Sequence, residues 1–163
     1  MENILLVKDI MKKIPSVSPS TTLKEIIQIM IKYHTPVVAI TEGDKVVGSV
    51  DIEDLLEVFI PEYFDLIEDF GSIKTFGVLD TKMFSDLSQK LFLAQDLMSK
   101  DFFSIEEDAS LSKAILIMHK KKVTALIVVK NSEYRGVITE FDLMRKLYEV
   151  DIDSVSYTHL TLP

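Results

Sequence analysis

Late in the chain, Thr139-Glu140-Phe141-Asp142 sets a hydroxyl three residues ahead of a carboxylate. That spacing permits two chemistries. As a variant of the capping box, the pair satisfies the first turn of any helix without a ligand. Alternatively, an ionised carboxylate accepts short charge-assisted hydrogen bonds from two neighbouring hydroxyls such as those of a ribose, and the start of a helix offers N–H groups and a positive dipole end to a phosphate. Gly136, three residues earlier, lets backbone approach closely. Both readings stay open on these residues alone.

An earlier stretch, Gly48-Ser49-Val50-Asp51-Ile52-Glu53-Asp54, has the same layout with Asp51 in place of the hydroxyl. Carboxylates at the N-cap and three residues on favour a helix start but repel a phosphate nearby. Asp51, Asp54 and Glu57 are near helical spacing and could share Mg²⁺ with a phosphate, although a solvated acidic helix end is far commoner. A Mg²⁺-dependent phosphate-processing enzyme therefore ranks last. No catalytic residue, resident metal or cofactor is assigned, because the chain has no Gly-rich phosphate loop, no Gly-x-Ser-x-Gly elbow and no His-Glu-x-x-His pair.

These two stretches belong to an internal repeat. Asp9-Ile10-Met11 recurs as Asp96-Leu97-Met98 at an offset of 87, and from Leu23 and Leu111 onward the offset is 88. Leu23, Ile26, Ile27, Met30 and Ile31 form the stripe of an amphipathic helix, and Leu111, Ala114, Ile115 and Met118 repeat it. Each helix is followed by a β-branched run, a polar turn and a second run, which predicts a hairpin, and then by a short helix. Gly48 and Gly136 coincide at the offset of 88. The expected fold is α+β: two copies of extended segment, helix, strand, strand, helix, packed as a pseudo-two-fold pair in which each completes its core against the other.

The repeat resembles the CBS domain, which occurs in tandem as a Bateman module. The resemblance rests on Asp9-Ile10-Met11 and Asp96-Leu97-Met98, on His34-Thr35-Pro36-Val37-Val38, and on Gly136-Val137-Ile138-Thr139-Glu140-Phe141-Asp142. It implies a first motif over 1–58 and a second over 92–150, with clefts between them for AMP, ADP, ATP or S-adenosylmethionine. It gives Thr139, Asp142 and Gly136 ribose and phosphate contacts. It gives the basic positions ahead of the hairpins, His34 and Lys122 with Lys121 beside it, phosphate contacts, and Val17-Ser18 and Phe103-Ser104-Ile105 the adenine wall. Each has a plainer reading: a charge run is usually solvated, and aromatics are usually core. The implied function is a non-catalytic regulatory module that signals through the packing of its motifs. The alternative is a structural or dimerisation module with no nucleotide.

Residues 59–91 form a linker between the motifs, apolar and acidic rather than Gly- or Ser-rich. Phe59, Tyr63, Phe64 and Ile67 share a helical face, which suggests a homodimer contact. The acid is concentrated here: residues 51–93 carry 3 basic and 10 acidic groups, most of the net charge of −8. That balance disfavours nucleic acid as a partner. Zero cysteines, no basic leader and no bilayer-length apolar run suggest a cytoplasmic protein without membrane association. Residues 151–163 match neither repeat, and Ser154 to Pro163 resembles an adaptor-derived tail, so nothing functional is read from them.

Overall fold

The computed structural model describes residues 4–58 and 92–159. The first copy contains α1 (Val7–Ile10), α2 (Leu23–Tyr33), β1 (Val37–Glu42), β2 (Lys45–Asp51) and α3 (Ile52–Val58). The second contains α4 (Ala94–Leu97), β3 (Ser104–Glu106), α5 (Leu111–Lys121), β4 (Ala125–Lys130), β5 (Glu133–Thr139) and α6 (Glu140–His159). The α+β repeat expected from sequence is present. The Phe59/Tyr63/Phe64/Ile67 face lies outside the described residues.

Local chemistry accounts for the element ends. Thr22 Oγ1 accepts from the Glu25 N–H and Ser110 Oγ from the Lys113 N–H, so matching hydroxyls cap α2 and α5. Both helices end on a left-handed residue, His34 at φ 50° and Lys122 at φ 55°. That position normally favours Gly. The β1–β2 and β4–β5 hairpins are antiparallel, each with a register shift, after Ile40 and after Val128. They share one five-stranded sheet, order β1-β2-β5-β4-β3, joined where Lys45 pairs Glu133.

The two copies exchange their leading segments. Val7 of α1 is fully buried in the core of the second copy with Ala114, Leu126, Val128 and Ile138, and Ile10 and Met11 pack against that cluster. Ala94 of α4 is buried in the core of the first with Ile26, Val38, Ile40 and Val50, flanked by Leu97 and Met98. Behind each helix, Lys12 trades N–H···O=C bonds with Val137 (2.8 and 3.0 Å), and Ser99 with Ser49 (2.8 and 3.0 Å). Asp9 and Asp96 each accept from the N–H three residues earlier, Leu6 and Leu93, closing these short helices. A third core layer, with Ile14, Val37, Ala39, Ile127, Val129 and Val137, joins the copies directly. Tyr134 donates to the Ile14 carbonyl there at 2.6 Å, and burial pushes its phenol well above the ordinary tyrosine range.

The glycines follow from the exchange. A Cβ on Gly136 would stand 2.5 Å from the Lys12 carbonyl oxygen, and one on Gly48 would stand 2.9 Å from Met98 Sδ and 3.0 Å from the Ser99 oxygen. The close approach expected at Gly136 is therefore made by the chain's own backbone.

Candidate functional site

Two clefts, related by the repeat, lie at the starts of α6 and α3. The larger, about 540 Å³, is lined by Thr139, Glu140, Phe141 and Arg145 from the second copy and by Lys12, His34 and Pro36 from the first. Thr139 lines it and is bonded to Asp142, which is not itself among the lining residues; both are buried. Asp142 Oδ2 accepts from the Thr139 N–H and from Thr139 Oγ1, each at 2.9 Å, and the Asp142 N–H donates back to Thr139 Oγ1. Oδ1 accepts from Arg145 Nη2 at 3.0 Å and lies 3.5 Å from Lys12 Nζ. The carboxylate thus caps α6 and holds two cations over the cleft.

The helix start is less available to an anion than expected. Of the N–H groups of Thr139, Glu140, Phe141 and Asp142, those of Thr139 and Asp142 are taken within the pair, and that of Glu140 donates to the Thr124 carbonyl at 2.9 Å. Side chains, rather than the helix end, are the main donors facing this cleft.

The smaller cleft, about 140 Å³, brings together Asp51, Glu53, Asp54, Asp101, Phe103 and Lys122. Asp51 is half-buried, and burial first, then Asp54 and Glu53, pushes its carboxyl up. Among the described residues, no group of three or more His, Asp or Glu side chains is arranged to hold a metal ion.

Sequence reading placed His34 and Lys122 at equivalent positions, and the structure sends them into opposite clefts. Lys121 instead sits with its ammonium 6.0 Å from the Phe103 ring centroid. The residues expected to form an adenine wall do not gather around Thr139. Val17 is core, its N–H and carbonyl bonded to Ala39 and Thr41 of β1. Ser18 lies within hydrogen-bond distance of the Ser20 and Thr21 hydroxyls, in a shallow groove along α2. Alternation along β3 turns Ile105 into the core of the second copy and Ser104 outward. Phe103 lines the acidic cleft. Lys12 and Arg145 were missed: Arg145 carries a local signal, one helical turn past Asp142, whereas Lys12 reaches Asp142 only through the segment exchange.

The CBS-domain family model matches residues 7–61 and 94–149, which covers both repeats and most of the chain. The chain belongs to the CBS-domain family. This CBS pair is similar in fold to CBSX2, solved in complex with AMP, with a TM-score of 0.64 at 18% identity over 90% of this chain and 98% of that one. It is similar to the CBS domain pair of protein MJ0100, solved with 5′-methylthioadenosine and S-adenosyl-L-methionine, with a TM-score of 0.61 at 20% identity over 90% and 98%. A CBS domain-containing protein from Kribbella flavida gives 0.66 at 17% identity over 88% and 99%. An uncharacterised 33.4 kDa protein in a ribosomal RNA operon of Thermofilum pendens is 25% identical over 151 residues, 92% of this chain. The chain spans 46% of that relative's length. Among the described residues, no helix of this CBS pair is long and apolar enough to cross a membrane.

Proposed function

We propose that this CBS pair is a non-catalytic regulatory module that binds an adenosine-containing ligand in the cleft over Thr139 and Asp142 and signals by altering the packing of its two motifs. The observation that carries this reading is the buried Thr139–Asp142 pair at a strand-to-helix junction, with Lys12, His34 and Arg145 around one open cleft. The ribose hydroxyls meet Asp142, and Arg145, Lys12 and His34 face the polar remainder of the ligand. Lys121 and Lys122 stand on the side of the acidic cleft, where the carboxylates disfavour a phosphate. Adenosine ligands in the complexes of CBSX2 and MJ0100 support the ligand class. The segment exchange supports the signalling route, because a ligand touching Lys12 and Asp142 contacts both copies at once.

A homodimer belongs to this reading. Met144, Leu147 and Tyr148 are exposed along α6, and a two-fold contact would cover such apolar side chains. Sedimentation at micromolar concentration tests it, and a monomer overturns it. The ligand reading is tested by thermal unfolding with adenosine, AMP, ADP, ATP and S-adenosylmethionine, with and without Mg²⁺. A true ligand at 100 times its dissociation constant adds about 2.7 kcal/mol. No shift with any of them favours the structural module, in which Asp142 only caps α6.

A further inference from the structure

Because the leading segments are exchanged, the bodies that can move against each other are not the two copies. One lobe joins the first hairpin, α2 and α3 with α4, and the other joins the second hairpin, β3, α5 and α6 with α1. Among the described residues the chain crosses between these lobes after Lys12 and after Ser99. The repeat offset is 87 between Lys12 and Ser99, which pair with Val137 and Ser49. It is 88 between Val17 and Ile105, which pair with Ile40 and Val128. The residue that separates the two offsets therefore lies inside the second crossing.

The crossings are held unequally. In the first, Tyr134 of the second hairpin donates to the Ile14 carbonyl at 2.6 Å, while Ser16 Oγ stands 2.9 Å from Thr41 Oγ1 of the first hairpin. Pro15 alone is left between these anchors, and its ring fixes φ. In the second, Ser99 is bonded to Ser49 of one lobe, and the Phe103 carbonyl accepts from the Ile127 N–H of the other at 3.1 Å. Lys100, Asp101 and Phe102 lie between. The Asp101 N–H reaches only back to Ser99 Oγ, at 3.2 Å, and Phe102 is partly buried against the shared layer. At the position that corresponds to Tyr134 stands Val46, which has no hydroxyl with which to latch this crossing. We infer that the lobes move on two unequal hinges, Pro15 being the pivot latched by Tyr134 and Lys100–Phe102 the free side, so that they part at the acidic cleft rather than at the Thr139 cleft.

This motion needs no ligand. The shared layer and the Lys45–Glu133 joint keep the lobes together, and the crossings decide which side yields. One residue of fixed φ carries a rotation through, whereas three residues with free torsions absorb it. Asp101, Phe102 and Phe103 line the acidic cleft, where Asp51, Glu53 and Asp54 crowd further like charge beside the free side. Burial keeps the Tyr134 phenol protonated, so it remains a donor to Ile14.

The chain contains no cysteine, so paired spin labels can be introduced without background. Double electron–electron resonance on the full chain without ligand tests the hinges with two repeat-equivalent pairs, Glu53→Cys with Lys120→Cys on the side of the acidic cleft and Phe141→Cys with Lys32→Cys on the other. All four side chains are exposed. In wild type the first pair should give the broader distance distribution. In Tyr134→Phe the second should widen to match it, because release of Ile14 leaves Lys13, Ile14 and Pro15 free, as many residues as in the other crossing. Pro15→Gly should widen the second pair with the Tyr134 bond intact, and it keeps the test open should Tyr134→Phe fail to fold. Equal widths in wild type overturn the unequal hinges. A second pair that neither variant widens overturns Pro15 and Tyr134 as pivot and latch. Both results leave the adenosine reading standing, since no ligand is present.

Discussion

Thr139 holds one oxygen of Asp142 and two cations hold the other, so substitution of this residue should separate its roles. Asp142→Ala removes the cap and the diol acceptor together. Stability should fall by about 1 kcal/mol, the size of a lost cap, and AMP binding by about 1.5–3 kcal/mol, the range for hydrogen bonds to a charged group. Asp54→Ala, at the same position of the acidic cleft, should leave AMP binding nearly intact; calorimetry on both variants checks the contrast. A destabilised Asp142→Ala protein with wild-type affinity would make Asp142 a cap and nothing more. His34 offers a second separation. It occupies a left-handed position, φ 50°, which costs an L-residue roughly 1–2 kcal/mol that glycine avoids. His34→Gly should raise stability by about 0.5–1 kcal/mol after the entropy of the unfolded glycine is counted, and should weaken AMP. Higher stability with unchanged AMP affinity would remove His34 from the site.

At the scale of elements, α2, α5 and the two hairpins were legible because periodicity and capping are local, and the offset of 88 aligned them. The Thr139–Asp142 pair was legible for the same reason: both partners sit on one turn. The exchange of α1 and α4 was not. Val7, Ile10, Leu97 and Met98 announce apolar burial, but nothing in an apolar side chain says which of two similar cores receives it. Lys12 was missed as a consequence, and the residues expected as an adenine wall stand apart from Thr139, because Val17 and Ile105 face cores. The glycines carried a signal that could have been read differently. Two glycines at one offset, each mid-strand, mark a crossing by another backbone as readily as approach by a ligand. Gly136→Ala should therefore cost about 1–3 kcal/mol, since the new methyl meets a backbone oxygen that cannot swing aside, and should weaken AMP by moving Lys12. Gly48→Ala should cost less, because the nearest atom is the flexible sulfur of Met98 and the backbone oxygen of Ser99 stands at 3.0 Å, against 2.5 Å for that of Lys12 at Gly136. Thermal unfolding of the two variants side by side tests the order, and a larger loss at Gly48 contradicts the crossing argument.

At the scale of the molecule, each core is finished by a residue that the other repeat supplies. Val7 and Ala94 are fully buried in clusters built mostly from the opposite copy. Burying a side chain the size of valine contributes about 1.5–3 kcal/mol, and a unit of about 60 residues is marginal to begin with. Without its partner, the second copy also loses the Lys12–Val137 backbone pair and exposes Ile127, Val129 and Val137 of the shared layer. Fragments 1–58 and 92–163, produced separately, should each lack a cooperative unfolding transition. Mixed in equal amounts, they should recover one, because the contacts that finish each core run between the fragments rather than along the chain. Circular dichroism during thermal unfolding of each fragment and of the mixture decides the matter. If either fragment alone melts cooperatively near the midpoint of the whole chain, the repeats are independent and the exchange is incidental. If only the mixture does, the two motifs are one folding unit, and a ligand bridging Lys12 and Asp142 acts on the contact that makes them one.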